Sequence, residues 1–390
     1  MTDHAATIVE TPASDEVTIV DAPIARPAAA RLRVVHVLKH SHLGNGNVHV
    51  AVDVAIAQVE AGHEVHLVSG PGDFGDLLEA HGVTFHALPE PVDARSALAF
   101  LRAFDAIARD LRPQVIHAHM MSGALLGLLV ARRRGAALVT TVHNSFDGHS
   151  KLMRVGDRVI AVSDAERDLL ISRGFSPRRV MTVFNGTAGS AREAAAPRAA
   201  APATLSTPAI MTLSGLHGRK AVDDIIRAFA LVAPDFPEWH LNIVGEGPDR
   251  DLLGAQVDDA GLADRVHFLG HINPARDLLD QASIVVSASL AEPCALSIME
   301  ARVAGCAVVT TAVGGFPEML DHGDSGHLVP TRTPEAIATA LREMLADPDR
   351  LALWRARAEA GAAERFSVQR VRADHDAVYL SIPRVARRAE

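Results

Sequence analysis

The sequence predicts a two-domain α/β protein in which each domain is a parallel sheet wound with helices on both faces. Three observations carry this. Short β-branched runs, such as LRVVHVL at 32–38 and IVVSA at 284–288, alternate with apolar-rich helical stretches. The alternation breaks once, over the Ala/Pro-rich TAGSAREAAAPRAAAPATLSTP at 187–208, and then resumes. At 390 residues the chain is long enough for two domains of about 100–200 residues each.

Residues 1–31, acidic and then rich in Ala and Pro, show little periodicity and are expected to form a disordered tail. The first domain is assigned to 32–186. Its opening strand leads through KHSHLGNGN into an apolar-rich helix that Gly62 ends, and the strand HEVHLVS completes a βαβ unit. Gly44 and Gly46 in the first turn let the backbone approach a ligand closely. A literal G-x-G-x-x-G occurs at Gly70–Gly75, but it follows the second strand and contains Pro71, so it reads as a turn.

A helix over 95–110, a strand ending at His117 and His119, a second helix and the strand ALVTTVHNS ending at His143 follow. DRVIAVS and RVMTVFNG close the domain. Histidines at strand carboxyl ends sit where ligands bind. With 20 His in the chain, a hydrogen-bonded structural role is an equal reading for any one of them. Zinc ligation by His117, His119 and His143 is the sharper rival, although no carboxylate or Cys completes that set. The run Arg132–Arg134 lies at a helix end, where cations complement the dipole. Docking to anionic lipid is the alternative reading, with only three charges to support it.

Residues 187–208 are assigned as linker, 209–366 as the second domain and 367–390 as a C-terminal helix, with a return to the first domain as one option for it. AIMTLS restarts the sheet, and Arg219 and Lys220 stand where the next helix begins. Cations there oppose the helix dipole, so an anionic ligand explains them better than helix stability does. Further on, the strand at 284–288 feeds a loop holding Glu292 and then the helix ALSIMEARVA, closed by Gly305. The first amides of such a helix point unpaired into the crevice at the carboxyl end of the sheet, a place for phosphate. The main-chain groups of Cys294, Ala295, Leu296 and Ser297 are the candidates. Glu300 lies about five residues further along, roughly 7.5 Å up the axis, which is about the distance from a diphosphate to a ribose. Gly245 and Gly314, each just after a strand, have turn geometry as their plain reading and are also placed at the donor site. Asp374-His375-Asp376 falls in a helical stretch and is not read as a metal site.

Composition excludes other classes. A net charge of −9 argues against a general nucleic-acid binder, and 4% aromatic residues leave little for base stacking. Two cysteines, Cys294 and Cys306, offer neither zinc spacing nor a disulfide framework, which suits a reducing cytoplasm. No apolar run reaches the roughly eighteen residues that a membrane span needs, and the N-terminus lacks a secretory pattern. The expectation is a cytoplasmic protein, with peripheral contact at the inner face of the membrane as its one membrane option.

Glu292 and Glu300, with seven residues between them, resemble the Glu-x7-Glu signature of the retaining, GT-B-type glycosyltransferases of family 4. HAH followed by TVH resembles the N-domain pattern of the same family. The resemblance covers about residues 33–380 and implies GT-B architecture: two Rossmann-like domains facing across a cleft. It implies that Glu292 contacts the transferred sugar, that Glu300 binds the ribose, and that His119 reaches the donor sugar. It also implies that Arg219 and Lys220 neutralise the leaving diphosphate, while Gly44 and Gly46 lie over it. Where the family commonly has Gly-Arg-Leu, this chain has Gly215 in place of the Arg, and Pro293-Cys294-Ala295 stands where Gly-Phe-Gly is frequent. The implied reaction moves a sugar from a UDP- or GDP-sugar to a hydroxyl acceptor, which includes lipid-linked ones, as in polysaccharide biosynthesis. No metal and no cofactor is expected. The rivals are a glycoside hydrolase, which needs opposed carboxylates about 5–5.5 Å apart for retention, a nucleotide-sugar epimerase, and a degenerate transferase that binds without turnover.

Overall fold

In a parallel sheet, helices cover both faces, so its strands are continuous apolar runs rather than alternating ones. The computed structural model, which describes residues 31–146, 148–195, 204–272 and 275–389, follows that rule. The first domain runs β1 (Arg33–Val37), α1 (Gly46–Glu60), β2 (Glu64–Ser69), α2 (Gly75–Ala80), β3 (Thr84–Ala87), α3 (Ala94–Leu111), β4 (Val115–Ala118), α4 (Met121–Arg134), β5 (Ala137–Val142), β6 (Arg158–Ala161), α5 (Asp164–Ser172) and β7 (Val180–Thr182). Its seven parallel strands are ordered β3-β2-β1-β4-β5-β6-β7.

A short helix, α6 (Ala191–Ala195), precedes the second domain. That domain comprises β8 (Ala209–Leu213), α7 (Val222–Val232), β9 (His240–Val244), α8 (Arg250–Asp259), β10 (Val266–Gly270), α9 (Arg276–Leu279), β11 (Ile284–Ser287), α10 (Leu296–Val303), β12 (Ala307–Thr311), α11 (Phe316–Met319) and β13 (His327–Val329). The helices α12 (Pro334–Leu345), α13 (Pro348–Glu359), α14 (Ala362–Arg365), α15 (Val368–Leu380) and α16 (Pro383–Ala389) finish the chain. The second sheet has six parallel strands in the order β10-β9-β8-β11-β12-β13. In both sheets the order reverses beside the first strand of the domain, and the crevice at such a reversal is where α/β sheets bind ligands.

The last long helix returns to the first domain. α15 packs on α1, and Val371, Val378, Tyr379 and Ile382 share one buried cluster with Leu32, Val34 and Val115. Their burial against the first sheet ties the chain's end to its beginning, at roughly 1.5–3 kcal/mol for each large apolar side chain. A second link is polar: the Glu318 carboxylate accepts the main-chain N–H of Asp164 and of Ala165, each at 2.8 Å, so a second-domain side chain caps the first turn of α5.

Several local readings are corrected here. α2 and the edge strand β3 were not anticipated, because TFHA is half-exposed and carries no apolar alternation. The assigned linker is partly built structure. Ala188 bridges to Ser367, and Ser190 and Arg192 bind the buried Asp53 of α1 at 2.7–2.9 Å. A buried carboxylate needs such partners, and the linker supplies them. The segment Gly70–Gly75 is more than a plain turn: Gly72 bridges to Ser41, and a Cβ there would lie 2.2 Å from the Ser41 backbone, so only glycine permits the two loops to meet. Residues 1–30 of the expected tail and 196–203 of the linker lie outside the described residues. Among the described residues, no helix is long and apolar enough to cross a membrane.

Candidate active site

Between the two sheets lies a cavity of about 830 Å³. The first domain contributes Gly44, Gly46, His49 and Asp73, the docked linker contributes Arg192 and Glu193, and the second domain contributes Arg219, Lys220, Glu292, Glu300 and the run Cys294–Ser297. Thus most of the residues singled out in the sequence meet at one place.

The charged centre is a three-residue cluster. Glu292 is 8% exposed, and its Oε2 lies 2.5 Å from Lys220 Nζ and 3.5 Å from Arg219 Nη1. Arg219 Nη1 also donates to the Ala291 carbonyl at 2.7 Å, while the Leu290 N–H donates back to the Arg219 carbonyl at 2.8 Å. The 3-10 turn Gly218–Lys220 is therefore stitched to the loop that carries Glu292. From the other domain, the Phe146 ring lies 4.2 Å beneath the Arg219 guanidinium, a cation–π contact across the cleft. Two cations against one carboxylate leave the cluster with a net positive charge, suited to an anion.

α10 begins beside this cluster. Its N-cap, Ala295, has extended φ/ψ and makes no side-chain cap, so the first helical amides stay available to a ligand. Burial pushes the Cys294 thiol up to about 12, which leaves it a neutral group whose contribution is its backbone. Glu300 sits one turn further on, half-buried at the cavity wall. Burial, then the neighbouring Glu193, push its carboxyl up to about 7, against the opposing pull of Arg192.

Three predicted positions stand back from the main cavity. Gly314, at φ +52, has no room for a Cβ, which would fall 2.0 Å from the Glu292 carbonyl; the Gly315 N–H donates to that same carbonyl at 3.0 Å. Gly245 approaches the Ser214 carbonyl equally closely. Both glycines shape the backbone behind the site. His119 is 2% exposed and borders a separate cavity of about 120 Å³, together with Asn47, Met120 and His143. Its Nε2 is 2.9 Å from His36 Nδ1, and its Nδ1 is 3.3 Å from His143 Nε2.

Sequence reasoning missed His36, His49, Arg192 and Glu193. For His36 a signal existed, since it pairs in register with His117 across β1 and β4 once the strand order is known. Arg192 and Glu193 carried none, because they lie in a segment without apolar rhythm.

Comparison with known proteins gives this arrangement its class. A family profile described as Glycosyltransferase Family 4 matches residues 44–188, and one described as Glycosyl transferases group 1 matches residues 207–347. The D-inositol 3-phosphate glycosyltransferase of Thermobispora bispora is 30% identical over 287 residues, covering 65% of this chain and 67% of that protein. The N-acetyl-alpha-D-glucosaminyl L-malate synthase of Bacillus anthracis is 23% identical over 361 residues, covering 86% and 93%. Among solved structures, Anabaena Alr3699/HepE in complex with UDP and glucose superposes with a TM-score of 0.74 at 21% identity, covering 90% of this chain and 100% of that one, a likeness of fold. Two parallel-sheet domains around a cleft thus define a GT-B-type glycosyltransferase. The chain belongs to the family 4 glycosyltransferases.

Proposed function

We propose that the enzyme transfers a sugar, with retention at the anomeric carbon and without a metal, from a nucleotide diphosphate-sugar to a hydroxyl acceptor. The observation that carries this reading is the meeting of Lys220, Arg219 and Glu292 beside the uncapped start of α10. Charge that develops on a departing diphosphate needs preorganised positive groups in a site that excludes bulk water. Lys220 and Arg219 are that pair, and the amides of Ala295, Leu296 and Ser297 add dipoles. Glu292 holds the two cations in place and faces the sugar. Glu300 takes the ribose diol. His119, whose ring nitrogens are engaged with His36 and His143, is assigned an indirect part at the sugar end.

The donor is proposed to be a UDP- or GDP-sugar; a UDP complex of a structural neighbour supports a nucleotide in such a cleft. The acceptor, on this reading, approaches from the first domain, and work at the inner face of the membrane on a lipid-linked acceptor is compatible with it. The test is a panel of UDP-, GDP- and ADP-sugars read by thermal shift and nucleotide release, with the anomeric configuration of the product followed by proton NMR. Product of inverted configuration, or release that requires added manganese or magnesium, would overturn the proposal.

A further inference from the structure

A continuous chain of buried hydrogen bonds runs from α15 to the smaller cavity, and its direction can be read from its far end. Asp376 Oδ2 receives Arg372 Nη1 at 2.9 Å and His63 Nε2 at 3.1 Å, and its Oδ1 receives Gln58 Nε2 at 3.1 Å. Arginine can only donate. The main-chain N–H of Leu32 donates to His63 Nδ1 at 3.1 Å, so the proton of this ring sits on Nε2 and points at Asp376. Two independent donors therefore mark Asp376 as an acceptor.

The consequence propagates ring by ring. With its amide nitrogen committed to Asp376, Gln58 offers its carbonyl Oε1 to His36 Nε2, 2.9 Å away, and that nitrogen must carry the proton. His36 Nδ1 is then an acceptor and takes the proton of His119 Nε2 at 2.9 Å. His119 Nδ1 in turn accepts from His143 Nε2 at 3.3 Å. Burial holds His36 down to about 4 and His143 down to about 3, and keeps His119 well below the ordinary range. Each ring thus carries one proton, and the order has a single solution. His36, His117 and His119 do bring ring nitrogens within 4.8 Å of one another, a spacing a metal could use. Those nitrogens are already engaged with each other and with Gln58, Tyr379 and Thr141.

We propose that Asp376, acting through Gln58 and His36, is a positioning residue that locks His119 and His143 in the tautomer protonated at Nε2. His143 Nδ1 then stands as a bare acceptor at the wall of the smaller cavity, for the hydroxyl of the sugar-accepting substrate. The functional half rests on the reading that the acceptor approaches from the first domain. The physical reason for one tautomer is direct. A bare nitrogen accepts the hydrogen bond of the hydroxyl, which keeps its proton, and leaves the oxygen lone pairs turned toward the anomeric carbon. A protonated nitrogen would occupy one of those pairs. The cavity is lined also by Asn47, Met120 and Met121.

The test uses the full chain and three variants. Nitrogen-15 imidazole spectra separate bare from protonated ring nitrogens and need no turnover, so they report the tautomers even from an enzyme that rejects every acceptor offered. Wild type should show His36, His119 and His143 each with a bare Nδ1. Asp376→Asn, which presents either an amide N–H or a carbonyl to Gln58, should mix the tautomers and raise the acceptor KM roughly tenfold, the scale of one hydrogen bond. Its donor Kd should stay within about twofold, because Asp376 does not line the main cavity. Asp376→Glu should restore the spectra, and Gln58→Leu should release the rings as Asp376→Asn does. A protonated Nδ1 on His143 in wild type, a metal retained at one equivalent after dialysis, or Asp376→Asn spectra identical to wild type would overturn the proposal. Mixed tautomers with an unchanged acceptor KM would overturn its functional half.

Discussion

Lys220 Nζ and Glu292 Oε2 lie 2.5 Å apart although 72 residues separate them in the chain. The pair is nearly closed to solvent: removing Lys220 leaves Glu292 with Arg219 alone, at 3.5 Å, whereas removing the carboxylate leaves both cations unpaired, a situation that typically costs several kcal/mol when complete. Lys220→Met should weaken nucleotide binding and lower kcat by about 10²–10³-fold, the range for losing one preorganised charge. Glu292→Gln should leave the affinity for free nucleotide nearly intact while lowering turnover, about tenfold for each 1.36 kcal/mol of lost transition-state stabilisation. Titration calorimetry with free nucleotide and initial rates with the donor check both. Full activity in Glu292→Gln would remove this residue from the sugar site.

Glu300 gives a pH signature. Its carboxyl is raised from 4.5 to about 7 in the folded protein, so the folded state holds the proton more tightly than the unfolded chain does. Stability from this group is complete below the unfolded value and is lost as pH rises toward about 7. The groups that face it are Glu193, Arg192, Asp53 and Arg276. Glu300→Gln should therefore melt above wild type at alkaline pH, by about 1–2 kcal/mol once its partial opening to the cavity is allowed for, and match it under acid conditions.

The same carboxyl should govern the nucleotide. Only the ionised form makes charge-assisted hydrogen bonds to both ribose hydroxyls. Affinity for free nucleotide should rise as pH passes through about 7 in wild type and stay flat in Glu300→Gln. Calorimetry at three pH values measures it, and parallel curves for the two proteins would detach Glu300 from the ribose.

Across the hinge, Glu318 holds the amides of Asp164 and Ala165. Glu318→Ala removes a cap of about 0.5–2 kcal/mol and one of the links that join the domains. Small-angle scattering should show a larger radius of gyration without donor, and the variant should regain the wild-type value when donor is bound. An unchanged radius in the free variant would show that this cap does not set the domain angle.

Excess chelator should leave the initial rate unchanged, because Arg219 and Lys220 carry the charge that a divalent ion would otherwise neutralise. A rate that collapses and returns with manganese would reassign the diphosphate site to a metal.

The second-domain site was more legible than the first-domain one, and the reason is distance along the chain. Glu292, the amides near 295–297 and Glu300 all fall within nine consecutive residues of one loop and one helix, so their relation follows from helix geometry. Arg219 and Lys220 betrayed themselves by sitting at a helix start against the dipole. Arg192 and Glu193 reach the cavity only because the linker folds back onto the buried Asp53, and nothing in an Ala-rich stretch announces that. Gly245 and Gly314 carried a true signal of close approach, but the partner they approach is the protein's own backbone.

What the sequence determined by itself is local: strands from β-branched runs, helices from apolar spacing, and a carboxylate pair held at a fixed offset by one helix. What the tertiary structure alone decided is which distant groups meet. Strand order places β1 beside β4, so His36 lies opposite His117 and within reach of His119. The return of α15 sets Asp376 against Gln58, 318 residues away. Periodicity reports which face of an element is buried, whereas the partner on the other side depends on crossover order and on the packing of the last helix. Two buried hydrogen-bonding groups so far apart find one another only after the whole core has formed.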